Sequence, residues 1–333
     1  MKRKIIKQGH NTLTITLPSE WVKRFKLNSG DEIDLVERDN GLFVSTERQH
    51  EELTTEVDIT GLDVPSIWKY FMAIYREGYD EVYVRFKDIN YENPYKFFTS
   101  HNIDKSYGRL EGNHTPYEIV QQMTNRFIGY EVIEHHKNYC VIKNMVEVSS
   151  KEFDSSFRRV FLLIQQMANE TLEAINTNNP SLLHHMHDID INVDKFHDYC
   201  VRVLNKTGFK EIRKSGILFA TLFLLELVGD EFKNIALHII NRNNTTMSNL
   251  KGLCELTVET FNKYYDLFYK FEKEKVVAMS KLDMDTYFYF PKYYKDKKKL
   301  DALTKNELGV LNHFKRIARY VNALVELRVE MEY

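Results

Sequence analysis

The feature that most restricts the fold of this chain is a change of hydrophobic period at Ser149. Before it, apolar residues alternate in short runs broken by Pro, Gly, Asn and Asp; from there to Tyr333 they recur at helical spacing over stretches too long for strands. The punctuation predicts six helices. Ser149-Ser150-Lys151-Glu152 opens one that runs to about Asn176, Asn179-Pro180 opens a second ending near Gly208, and a third spans about Lys210 to Asn241. The second half reads as about Met247–Ser280, Leu282–Lys299 and Thr304–Glu330, the last with Thr304 and Glu307 as a capping box. Two halves of three helices suggest an internal duplication.

The first segment is of another kind. Leu13, Ile15 and Leu17 alternate with threonines as a strand that Pro18 ends, Ser19 caps a short helix carrying Trp21, Val22 and Phe25, and Asn28-Ser29-Gly30 breaks it. Glu32–Glu37 and Leu42–Val44 then read as a hairpin closed at Asp39-Asn40-Gly41. A unit of roughly 45 residues has too little core to stand alone, so it is expected to pair with a second copy by interleaving strands. Its charge is divided: residues 1–26 hold Lys2, Arg3, Lys4, Lys7, Lys23, Arg24 and Lys26 against Glu20, while residues 31–58 are acidic.

Residues 51–148 read as a small α/β domain, with strands at Thr55–Ile59 and Glu81–Phe86 around a helix from Val64 to Arg76 that stops at Gly78. Thr115-Pro116-Tyr117-Glu118 caps a second helix, strands follow at Glu131–Glu134 and Tyr139–Lys143, and His135-His136 fall at their turn. Lys87 to His114 lacks a period and reads as a loop or insertion. No catalytic or ligand constellation is legible in this domain.

The chemistry lies in the helical part. Asp190 and Asp194, and again Glu226 and Asp230, are acids four apart, which share a helix face and repel unless a cation sits among them. His187, Asp190, Asp194 and His197 form a metal-compatible stripe beside the apolar stripe Met186, Ile189, Val193, Phe196 and Cys200. Glu226 falls in ILFATLFLLELVG, an apolar run where an unpaired carboxylate would cost several kcal/mol. A divalent ion held by Asp190, Asp194, Glu226 and Asp230, with His187 or His197 at its margin, would remove that penalty. The bland alternative is helix solvation or salt bridging with Lys195, Lys210 or Lys233, and a lone His238 on an apolar helix reads as a core residue.

Two resemblances rest on these residues. GHNTLTITLPSEWVKRFKLNSGDEIDLVERDNGLFV, through Leu17, Pro18, Trp21, Val22, Gly30 and Asp31, resembles the swapped-hairpin DNA-binding domain of the AbrB, MazE and SpoVT group. That resemblance implies a homodimer through residues 1–48 and DNA contact by Lys2, Arg3, Lys4 and Lys7. LELVGDEFKNIALHI resembles the signature of PhoU proteins, in which an E/D-xxx-D motif on a helix of a three-helix repeat binds metal. It implies that Asp190, Asp194, Glu226 and Asp230 bind a divalent ion, Fe, Zn, Mn or Mg. The last helix, HFKRIARYVNALVEL, is similar to the second signature but reads Asn322-xxx-Glu326, so a second site at Glu326 is expected to be weak, altered or empty.

The expected fold class is multidomain α+β: a swapped-hairpin β domain over 1–50, the small α/β domain over 51–148, and a PhoU-like bundle of two three-helix repeats over 149–333. A formal net charge of −2 excludes a globally basic nucleic-acid binder, so DNA contact would come from the local N-terminal patch. Cys140, Cys200 and Cys254 form no CxxC pair, MKRKIIKQGH has no following apolar segment, and the run Gly216–Val228 is too short to span a bilayer. A cytoplasmic protein without membrane insertion is expected. Glycine-rich phosphate loops and nucleophile elbows are lacking. The resemblances together imply a non-enzymatic regulator of phosphate uptake with a transporter component or sensor as partner. The alternatives are a transcription factor sensing metal or phosphate, and a metal-dependent phosphatase.

Overall fold

A computed structural model describes residues 2–9, 11–38, 41–46, 52–87, 91–92, 113–146, 151–207, 212–241, 247–290, 296, 298, 301 and 303–333. The domain limits expected at 50/51 and 148/149, the turn residues Asp39 and Asn40, the Ser149-Ser150 start and the Gly208 stop lie outside them. The chain divides into two compact units, Met1–Glu52 and Leu53–Tyr333.

In the first unit β1 (Ile6–Gln8) and β2 (Thr12–Thr14) form an antiparallel pair, Ile6 opposite Thr14. The helix α1 (Ser19–Arg24) follows; Pro18 holds its N-cap position without a side-chain hydrogen bond, so the expected Ser19 cap is displaced by one residue. Gly30, at φ 97°, makes the turn that a side chain would strain, and Asn28 N donates to Asp31 Oδ2 at 2.7 Å beside it. β3 (Asp34–Arg38) and β4 (Gly41–Ser45) form a second antiparallel pair. No residue whose burial is described within 2–46 is buried, and Leu13, Leu35 and Leu42 are 67, 58 and 56% exposed.

The second unit holds two hydrophobic cores. One belongs to a four-stranded sheet ordered β5-β6-β10-β9, from β5 (Thr54–Asp58), β6 (Glu81–Arg85), β9 (Tyr130–His135) and β10 (Tyr139–Asn144). β5 and β6 are parallel across α2 (Val64–Glu77), which Asp63 caps at Ser66 N and Gly78 ends in the left-handed region. The helix α3 (Pro116–Thr124) carries the expected capping box, and β7 (Tyr91–Glu92) pairs with β8 (Asn113–His114). Ile67, Phe71, Tyr75, Ile119, Met123 and Phe127 pack with Val82, Val84, Cys140 and Ile142 as this core.

The other core lies among α4 (Lys151–Thr177), α5 (Met186–Thr207), α6 (Ile212–Ile240), α7 (Lys251–Tyr269), α8 (Lys273–Tyr289) and α9 (Lys305–Glu330). Six long helices lie where the spacing predicts them, with boundaries moved: Pro180–Leu183 is a separate 3-10 turn and α5 starts at Met186 instead of Asn179, the fifth helix starts at Lys273 instead of Leu282, and its expected end at Lys299 lies outside the described residues. The expected helix 247–280 breaks at Lys270–Glu272, where Lys270 and Glu272 are extended, and α8 begins at Lys273. Gly309 lets α9 approach α6, since a Cβ there would lie 2.5 Å from the His238 ring.

Candidate functional site

Four residues per step advance a helix by slightly more than one turn, so side chains at that spacing run along one face. On α5 the spacing does not stop at Asp194. Asp190, Asp194, Asp198, Arg202 and Lys206 form a continuous stripe that winds slowly round the helix, about 40° per step, and changes sign halfway. The elements facing it supply the complement.

At the acidic end, Lys233 of α6 donates to Asp190 Oδ2 at 2.7 Å and also to Asp230. Burial by itself would lower the Lys233 ammonium, but Asp190 and Asp230 outweigh it and hold the group above the ordinary lysine range. Arg126, in the turn after α3, donates from Nη2 to Asp194 Oδ2 at 2.8 Å, and its guanidinium lies 4.6 Å from the centre of the Trp68 ring. Arg76, in the last turn of α2, gives Nε and Nη2 to Asp198 Oδ1 at 2.8 and 2.6 Å, and Asn205 donates to the Arg76 carbonyl.

At the basic end, Arg202 is fully buried. Its Nη1 donates to the Tyr75 carbonyl at 2.8 Å, its Nη2 to Asp80 Oδ1 at 3.2 Å, and its guanidinium stands 4.9 and 5.1 Å from the Tyr75 and Tyr130 rings. Lys206 also donates to Asp80, whose other oxygen accepts from Leu53 N. The missing side chain of Gly78 admits the Lys206 stem, whose Cγ lies 2.5 Å from where a Cβ would stand.

The structure therefore brings Asp190, Asp230, Asp194 and Glu226 to one seam between α5 and α6, and fills it with chain cations. Glu226 is half-buried and has no hydrogen-bond partner among the described residues; burial, then Asp230 and Asp190, push its carboxyl up to about 7. It is not enclosed on every side as the apolar run implied, because Phe219 and Leu227 on the same helix are exposed. His187 Nδ1 lies 3.8 Å from Asp190 Oδ2, and burial, with Lys233 and Arg126 adding to it, lowers the imidazole to about 4. His197 is buried, with Nδ1 3.1 Å from Asp198 Oδ1 and its ring edge-on to Phe223.

Glu326 lies elsewhere. It accepts from Asn322 at 3.4 Å on α9, and Asp283 of α8 is its acidic neighbour, raised by burial and then by Glu326. Among the described residues no three His, Cys, Asp or Glu side chains are arranged to hold a metal ion. The donor set at the seam does not fit one as it stands, since the Lys233 ammonium occupies the place shared by Asp190 and Asp230. Of the expected stripe, Asp190 and His197 are buried, 3% and 1% exposed, while His187 and Asp194 are half-buried, Asp194 beneath Arg126 of the α/β part.

Sequence reading missed Asp80, Arg76, Arg126, Asp198, Arg202 and Lys206. Asp198, Arg202 and Lys206 had a signal, the continued spacing of four; the other three had none. In the N-terminal unit Lys7 stands on β1 opposite Leu13, Lys2, Arg3 and Lys4 precede it, and all four are exposed.

Residues 6–51 match the family model of MazE, the antidote-toxin recognition bacterial antitoxin. None of the curated proteins compared with the chain matches it. Among solved structures it is similar to the phosphate transport system regulatory protein PhoU from Streptococcus pneumoniae, at 19% identity and a TM-score of 0.45 over 55% of this chain and 94% of that one. It is also similar to PhoU from Pseudomonas aeruginosa, at 15% identity and a TM-score of 0.44 over 54% of this chain and 94% of that one. No described helix is long and apolar enough to cross a membrane. The chain thus carries a MazE-type antitoxin domain at its N-terminus and has structural similarity to PhoU proteins.

Proposed function

We propose that this protein is a non-enzymatic regulator of phosphate uptake that dimerises through its N-terminal unit and contacts DNA there. The observation that carries the reading is a conjunction in one chain: a MazE-type unit whose apolar strand residues are uncovered, and a six-helix part in which the LELVGD signature of α6 meets the Asp190-xxx-Asp194 motif of α5. A strain lacking the chain should show altered uptake of inorganic phosphate between phosphate-rich and phosphate-poor media, restored by the wild-type gene. Unchanged uptake in both media would overturn the reading.

A transcription factor responding to phosphate is the second reading, favoured by the exposed Lys2, Arg3, Lys4 and Lys7. Such contacts are phosphate-directed and salt-sensitive. Changing all four to Ala should weaken binding to the protein's own upstream DNA and flatten the plot of log affinity against log salt by up to about 4 in slope. A gel-shift titration with unchanged affinity and slope would remove these residues from the interface.

A further inference from the structure

We infer that Lys233 and Arg126 are the resident cations of the seam on α5, so that Asp190, Asp194 and Asp230 hold no divalent metal while the α/β part is docked. A hard cation takes carboxylate oxygens at about 2.0–2.6 Å, and it cannot do so beside an ammonium bonded to the same oxygens. Lys233 meets Asp190 Oδ2 at 2.7 Å and is bonded to Asp230 Oδ1 as well, so an ion bridging the two carboxylates through these oxygens would have to displace it. Arg126 closes the next position on the stripe, at 2.8 Å from Asp194.

Neither cation is a loosely held surface charge. Lys233 is backed by α6 and pairs with carboxylates on two helices; Arg126 lies against the Trp68 ring, which stacks on Phe127 of the sheet core. Withdrawing Arg126 therefore means parting it from an aromatic face as well as from Asp194. The remaining acid, Glu226, has no second carboxylate left unpaired beside it, because Asp190, Asp194 and Asp198 already accept from Lys233, Arg126 and Arg76. The arrangement gives the stripe a purpose that metal ligation does not: its acids hold two arginines of the α/β part, and its bases hold Asp80 of the same part.

Mn²⁺ is the probe, used on the full-length protein. Wild type purified without chelator should contain no stoichiometric transition metal by elemental analysis, and its melting temperature should not move when Mn²⁺ or a chelator is added. Lys233→Met, verified as helical by circular dichroism, should bind Mn²⁺ and melt higher in its presence, whereas Lys233→Arg, which keeps the charge, should remain silent. Lys233→Gln serves in place of the Met variant where that one does not fold. Stoichiometric metal in wild type overturns the inference, as does a wild-type melting shift equal to that of the variant. A folded Lys233→Met that takes no Mn²⁺ also overturns it, because the seam would then reject metal for a reason other than its resident cations. The outcome is independent of the phosphate reading, which uptake measurements test separately.

Discussion

Arg202 has no exposed surface and is held among a carbonyl, two aromatic faces and the carboxylate of Asp80. A buried ion pair adds little over well-packed apolar residues, but removing one partner leaves the other charge stranded, at about 3–5 kcal/mol. Asp80→Ala should therefore cost about that much in urea unfolding, since it strands Arg202 and Lys206 together and takes the acceptor from Leu53 N. Adding Arg202→Met, of similar shape and no charge, should restore part of the loss, since Lys206 and Leu53 N remain without Asp80. A cost below about 1 kcal/mol for Asp80→Ala would mean that water, not Asp80, compensates Arg202.

Among the elements, α6 and α9 are joined by a charged polar contact. Glu231 accepts from Arg316 Nε at 2.7 Å and lies 2.5 Å from His313 Nδ1. Burial alone would raise its carboxyl, but the hydrogen bonds to His313 and Arg316 outweigh burial and hold it below the ordinary glutamate range. A carboxyl whose folded value is depressed stabilises the fold above its unfolded pKa, near 4.5, and loses that contribution as pH falls through the folded value. Glu231→Gln should cost about 1.5–3 kcal/mol at neutral pH and remove part of the acid-induced loss below pH about 4.5. Melting curves of both proteins across that range decide it; parallel pH profiles would assign the acid transition to other carboxylates.

The helices themselves were legible because their apolar period is long and their caps are local: Thr304 with Glu307 and Thr115 with Glu118 form the boxes that the sequence announces. The break between α7 and α8 was not, because neither Gly nor Pro makes it. Lys275 lies across it, donating from Nζ to the carbonyl of Lys270 and to that of Asp266, which also accepts from Lys270 N. The site was half legible for a similar reason. The acids of α5 and α6 stand out at spacing four, but Arg76 and Arg126 reach α5 from positions far away in the chain, on a domain whose own pattern concerns only its core. A pattern local to one helix can reveal an uncompensated charge; it cannot reveal which distant residue compensates it.

At the scale of the whole molecule, the two units differ in what they can do alone. Leu53–Tyr333 encloses two cores, while Met1–Glu52 buries none of the residues whose burial is described there. Isolated two-stranded ribbons are marginal in water, and Ile6, Leu13, Ile15, Leu35, Leu42 and Phe43 are left uncovered on both of them. Solvent exposure of that many large apolar side chains on so short a unit is relieved by a second copy supplying the missing strands, the arrangement that an isologous dimer provides. The full-length protein should therefore run as a homodimer at micromolar concentration in light scattering. Leu13→Asp combined with Phe43→Asp should convert it to a monomer, because the two charges would be carried into the shared core, and should leave the helical melt of residues 53–333 in place, since that unit has cores of its own. A wild-type monomer at that concentration would refute the pairing, and a doubly substituted protein that stays dimeric would move the interface out of the N-terminal unit.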